Sequence, residues 1–180
     1  MTSMSKAKDI LNFWFKETEP KQHWVKDPEF DTLIKQRFGD TLIAASKCEL
    51  FDWRKTAKGR LAEIIVLDQF SRNIHRDTPK AFAQDPLALA LAQEAVAIGT
   101  DTELSDNEKP FLYMPYMHSE SKVVHVEAEK LFRSTGNFEF EIKHKAIIDR
   151  FGRYPHRNEI LERESTEEEI EFLQGPGSSF

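Results

Sequence analysis

Three short stretches concentrate the side chains able to do chemistry. The first is "LDQFSRNIHR", which holds Asp68, Arg72, Asn73, His75 and Arg76. The second is "YMPYMHSES", with His118 and Glu120 two residues apart. The third is "RFGRYPHRN", where Arg150, Arg153, His156, Arg157 and Asn158 fall within nine residues. Arginine forks suit carboxylates and phosphates, and a histidine beside a carboxylate suits proton transfer. The structural reading runs alongside: an i,i+4 Asp68–Arg72 ion pair holding one helix in register, Glu120 favouring a helix dipole, and arginines bonding helix-end carbonyls.

The elements that must position these groups are helical. Asp27-Pro28, Thr78-Pro79 and Asp85-Pro86 each set a capping oxygen before a proline, the pattern of a helix start. Ser105…Glu108 and Ser165…Glu168 have capping-box spacing. Gly39, Gly99, Gly136 and Gly152 stand where helical patterns end. The spacing predicts helices over 5–17, 28–38, 40–47, 57–75, 79–84, 86–98, 106–113, 119–134 and 138–151. A short turn at 156–162 and a helix at 166–174 follow. Pro115 is expected to break one helix and Ser119 to cap the next, with Glu120 in its first turn. No period-2 strand pattern or Asn-Gly hairpin signal appears. The fold class is therefore all-α.

The helix from Gly59 to Arg76 is apolar on nearly every side, with Leu61, Ile64 and Ile65 on one stripe and Val66, Leu67, Phe70 and Ile74 opposite. Such a helix lies in the centre of a protein. Asp68 and Arg72 fall inside the apolar stripe, so both are expected to be buried and bonded to each other. One carboxylate satisfies only part of an arginine's five donors, so further acceptors are expected near Arg72. The bend at 150–158 is expected to pack against the His118 turn.

With 180 residues, 39% of them hydrophobic and 31% charged, the chain is read as one domain, 1–180, with a core over 8–174 and a disordered tail at 175–180. Its net charge of −6 and pI near 5.6 argue against a nucleic-acid binder. The single cysteine, Cys48, excludes an internal disulfide framework and fits a reducing compartment. The N-terminus reads as a helix rather than a signal peptide, and no apolar run reaches the roughly 20 residues that span a bilayer. The expected location is cytoplasmic, with no membrane partner. No His-Glu-x-x-His pattern, phosphate-cradling loop or Gly-x-Ser-x-Gly elbow is present, and His125-x-Glu127 is a weak metal hint. No metal or cofactor is expected.

"FWF", "LDQFSRNIHR", "AFAQDPLALALAQEAVAIG", "HSES" and "RFGRYPHRNEILERESTEEEIEFL" together resemble an uncharacterised, mainly bacterial family of unknown function. The resemblance spans about residues 8–174. It implies a tetratricopeptide-like superhelix with atypical repeats, in keeping with the small-residue spacing of Ala88, Ala92 and Ala95, although no 34-residue period is visible. It carries no activity, substrate or cofactor. The family pattern falls on Asp68, Gln69, Phe70, Arg72, Asn73 and Arg76, on His118, Ser119 and Glu120, and on Arg150 through Asn158. This chain departs from it at Ser71, where the family has a proline, and at His75, where it has an aromatic.

Three functions follow from these residues. The first is a binding module in which Arg72, Asn73, Arg76, Arg150, Arg153, Arg157 and Asn158 hold an anionic group of a peptide or small molecule. The second is an enzyme with His118 and Glu120, or His156, as acid and base on an anionic substrate. The third is a purely structural polar network in an interaction protein.

Overall fold

The computed structural model describes residues 5–180, and every regular element among them is helical. Helix α1 (Ala7–Asn12) runs on into a π-turn at Phe13–Glu17, and α2 spans Pro28–Ser46. The central helix is built from α3 (Ala57–Ile65), a π-turn (Val66–Phe70) and α4 (Ser71–Ile74). Then come α5 (Asp85–Ala97), α6 (Lys109–Met117), α7 (Lys122–Phe132), α8 (Phe138–Phe151) and α9 (Glu167–Leu173).

The central helix is buried on all sides, as its composition requires: Leu61, Ile64, Ile65, Val66, Leu67 and Phe70 are all inaccessible to solvent or nearly so. Each contributes about 1.5–3 kcal/mol by leaving water. Helix α1 packs on α3, α2 lies along α4 and the π-turn, and α5 and α6 close the other side. An aromatic knot fills the space between α1, α2 and the π-turn, with Phe13 against Phe38 at 5.0 Å and Phe38 stacked on Phe70 at 5.1 Å. Ala88, Ala92 and Ala95 are fully buried on α5, and their small side chains let it approach closely.

Several local expectations change. Residues 28–38 and 40–47 form one helix, because Gly39 does not adopt a left-handed backbone. The cost of a mid-helix glycine, about 1 kcal/mol, is offset by burial of Phe38 and Leu42 on either side. Pro115 sits inside α6 rather than ending it. Every residue from Pro110 to Met117 is buried, and that packing overrides the lost backbone bond. Ser121, not Ser119, caps α7, so Glu120 lies in the preceding loop. Thr166 and Glu169 form the capping box of α9 in place of Ser165 and Glu168. Asp27 caps α2 as expected, accepting from the Glu29 and Phe30 N–H groups at 3.0 and 3.1 Å. Gly99 and Gly152 end their helices with φ of 78° and 72°.

The 175–180 segment, expected to be disordered, packs against the body. The Phe180 ring stacks on His144 at 3.7 Å, and Ser178 is buried. The aromatic face left open by His144 and Tyr154 supplies the partner that the tail's composition does not reveal.

Candidate functional site

The π-turn sets Asp68 at the heart of the molecule, with its side chain 1% exposed. Such turns recur at functional sites because the widened backbone re-aims a side chain. One carboxylate oxygen, Oδ1, meets His118 Nδ1 at 2.7 Å and accepts from Arg72 at 3.4 Å. The other accepts from the Gln69 amide at 2.7 Å. Burial works against the carboxylate's charge, but His118, Arg72 and Gln69 outweigh it, so Asp68 stays ionised, with its pKa lowered.

His118 closes α6. Burial first, then the nearby Arg72 cation, lowers its pKa against the pull of Asp68, so the ring is neutral at pH 7. A neutral ring facing a carboxylate through Nδ1 must carry its proton there. The Nε2 atom is left as a bare acceptor, with no hydrogen-bond partner among the described residues.

Arg72 is held mainly by a residue the sequence presented as a helix cap. Its Nη1 and Nη2 donate to the two oxygens of Asp85 at 2.7 and 2.9 Å, and Nη1 also donates to the Asp68 carbonyl at 2.9 Å. The Asp68–Arg72 pair exists, but its 3.4 Å contact is the weaker arm. Arg157 reaches the same place from the 150–158 bend. Its Nη2 donates to the His118 carbonyl at 2.9 Å, and its plane lies between the Phe82 and Tyr154 rings, 4.6 and 4.7 Å from their centroids. The Arg157 Nη1 stands 3.6 Å from Asp85, beyond hydrogen-bond contact.

His118, Asp85 and Arg157 border a cleft of about 380 Å³, whose other lining residues are Pro79, Phe82, Ala83, Pro86, Leu89, Pro115, Ser119, Glu120 and Leu161. Its walls are mostly apolar. Asp85, Glu120 and Arg157 line it, and with their ion-pair neighbours Asp68, Arg72 and Arg163 behind them the three carboxylates and three guanidiniums of the cluster balance.

The other candidates go elsewhere. Glu120 is not the partner of His118: both of its oxygens accept from Arg163, at 2.7 and 2.9 Å, and Oε1 also accepts from the Tyr154 N–H at 2.7 Å. Burial raises its pKa, but these donors outweigh burial and hold it below the ordinary glutamate value, so it is an ionised brace rather than an acid. Asn73 and Arg76 both bind Asp31 and tie α4 to α2. Arg150 pairs with Glu168, and Arg153 is gripped by Glu169 at 2.7 Å through both Nε and Nη2. Asn158 donates to Ser165 and accepts from Arg163. His156 lies outside the cleft against Tyr154 and Phe180. Burial, then Arg157, lowers its pKa to about 4, and its Nδ1 is buried without a partner.

A second polar pair lies behind the cleft. His125 Nδ1 is 2.7 Å from Glu141 Oε1, with both side chains fully buried. The His125 Nε2 donates to the Ser119 carbonyl at 2.8 Å, and Tyr154 Oη donates to the Met117 carbonyl at 2.5 Å. These bonds fix the backbone on both sides of His118.

The model of a bacterial protein family of unknown function, DUF924, matches residues 10–177. The chain belongs to this family. It is 39% identical to a protein of unknown function from Agrobacterium tumefaciens whose structure is solved, with a TM-score of 0.89 over 94% of this chain and 97% of that one. No curated protein sequence matches. In this DUF924 chain, Asp68, Arg72, His118 and Arg157 meet as one cluster. Sequence reasoning missed Asp85, Asp31, Arg163, Phe82 and Tyr154. The signal for Asp85 was present in the surplus of Arg72 donors, but its Asp-Pro context pointed to a cap.

Proposed function

We propose that the chain is an enzyme whose cleft performs general-base proton transfer on a small molecule, with His118 as the base and Asp68 as its positioning residue. The observation that carries this reading is the 2.7 Å bond from Asp68 to His118 Nδ1 on a ring that lines the cleft and keeps Nε2 unpartnered. A buried carboxylate that fixes tautomer and ring orientation is the working part of hydrolytic dyads and triads on unrelated folds.

The second reading is a passive module in a tetratricopeptide-like superhelix that holds an anionic group. Arg157, with a side chain 7% exposed and Nη1 lacking a hydrogen bond, favours it. The balanced charges of the cleft favour the base, since an anion entering there adds an uncompensated charge. Either way we take the protein as one cytoplasmic domain. No helix among the described residues is long and apolar enough to cross a membrane.

Histidine ¹⁵N NMR between about pH 5 and about pH 8 tests the reading. The expected result is a neutral His118 ring with its proton on Nδ1 through neutral pH. Diethylpyrocarbonate should also modify Nε2 faster than it modifies the buried His125. A proton found on Nε2, or an imidazolium at neutral pH, overturns the base.

A further inference from the structure

We infer that the cleft takes a neutral carboxylic ester with an apolar acyl group and hydrolyses it with a water activated by His118, Arg157 receiving the charge that develops on the carbonyl oxygen. This rests on the general-base reading above. The Arg157 guanidinium is fixed beside the base by its 2.9 Å bond to the His118 carbonyl. It is clamped between Phe82 and Tyr154, so donor and acceptor face one cleft from a rigid mount. The Nη1 group has no acceptor within hydrogen-bond distance among the described residues, Asp85 standing at 3.6 Å. As a donor on a cleft-lining side chain, it is free to meet a ligand oxygen. Phe82, Pro86, Leu89 and Leu161 supply an apolar wall suited to a hydrocarbon acyl part, and the volume of about 380 Å³ lies in the range of small-molecule sites.

The three carboxylates and three guanidiniums around the cleft cancel, which selects a neutral ligand. A histidine whose basicity is lowered by burial and by Arg72 is too weak to remove a proton from the carbon beside a simple ketone. It is adequate for water, whose proton becomes acidic only as the oxygen bonds to carbon.

In the first step the water oxygen bonds to the carbonyl carbon while His118 Nε2 takes one water proton. The carbonyl π pair moves to oxygen, where Arg157 N–H stabilises it. In the second step that pair re-forms the carbonyl, the carbon–alkoxy bond breaks, and His118 returns the proton to the leaving alkoxide. Acid and alcohol are the products, with no other reactant consumed.

The full chain is assayed with methyl phenylacetate in a pH-stat, and in parallel with phenylacetone in D₂O for deuterium exchange beside its carbonyl. Ester hydrolysis above buffer is expected, reduced about a hundredfold or more in His118→Gln and about a hundredfold in Arg157→Gln. Arg157→Lys, which keeps a cation between the rings, is expected to retain part of the rate and guards against unfolding of the Gln variant. Circular dichroism melts check each variant. On the wild type alone, the rate must rise with pH through a single group titrating below the ordinary histidine value and then level off. If hydrolysis is absent but His118-dependent exchange into phenylacetone is seen, the ester inference fails and the general base stands. If hydrolysis persists unchanged in His118→Gln, both fail for this cleft. If neither substrate reacts, the ester inference is overturned and the tautomer measurement decides the base.

Discussion

Asp68 acts through His118, and the two effects of its charge are separable. Its carboxylate raises the affinity of His118 for a proton, while burial and Arg72 lower it. In Asp68→Asn the raising partner is gone and Arg72 remains, anchored on Asp85 at 2.7 and 2.9 Å. The His118 pKa is therefore expected to fall further, measured by NMR titration, and the acid limb of any activity is expected to move down with it. An unchanged titration would show that Asp68 is a packing group only. Removing the carboxylate without filling its place is a different experiment. In Asp68→Ala the His118 Nδ1–H and the Gln69 amide lose their acceptor, which costs about 1–3 kcal/mol for each donor left unsatisfied.

At the scale of elements, the start of the central helix depends on one glycine. Thr56 caps α3 by accepting from the Gly59 N–H at 3.0 Å, and the short 3₁₀ turn Phe51–Lys55 lies directly against that first turn. A Cβ at Gly59 would overlap the Trp53 carbonyl oxygen, which is backbone and cannot swing aside. Gly59→Ala is expected to lower stability by about 1–3 kcal/mol, in the range of overpacked cores, read from the midpoint of a urea unfolding curve. A neutral or stabilising result would mean that the turn moves independently of α3. The same element shows where local rules yield to packing. Pro115 stays inside α6 because that helix is buried along its length, and Gly39 stays inside α2 because the buried face of that helix, with Phe38 and Leu42 beside the glycine, continues through it.

For the molecule as a whole, the buried histidines set the acid limit. Burial is the leading cause that lowers His144 to about 3 and His156 to about 4, and it lowers His118 as well. A histidine with a depressed folded pKa binds fewer protons folded than unfolded. Its neutral form supports the fold fully above the unfolded value near 6.5, and this support is lost as pH falls toward the folded value. Each such histidine is expected to remove about 1.4 kcal/mol per pH unit across that window. Glu141, whose pKa is raised chiefly by burial, opposes the trend, because its protonation on acidification relieves a buried charge. Thermal melts from about pH 7 to about pH 4 are therefore expected to fall well before the ion-paired carboxylates Asp68, Glu120 and Glu169 protonate. Melting temperatures that hold to about pH 4.5 and then drop would place the acid limit on those carboxylates instead.

The all-helical class, the central position of the Gly59–Arg76 helix and the meeting of the 150–158 bend with the His118 turn were all legible in the sequence. They follow from periodicity and capping, which are local, and from the cost of burying unpaired charge. Partner choice was not legible. Asp68 was paired with Arg72 by i,i+4 spacing and His118 with Glu120 by adjacency. The fold keeps the Asp68–Arg72 contact at 3.4 Å, but sets His118 on Asp68, holds Arg72 more closely on Asp85 and sets Glu120 on Arg163. The last three bonds join residues 50, 13 and 43 positions apart. A charged side chain takes the nearest acceptor in space, and spacing along one helix says nothing about which neighbouring helix brings that acceptor. The sequence thus determined that donors and carboxylates must be buried together. Only the tertiary structure decided that His118 among them lines a cleft with its Nε2 unpartnered among the described residues.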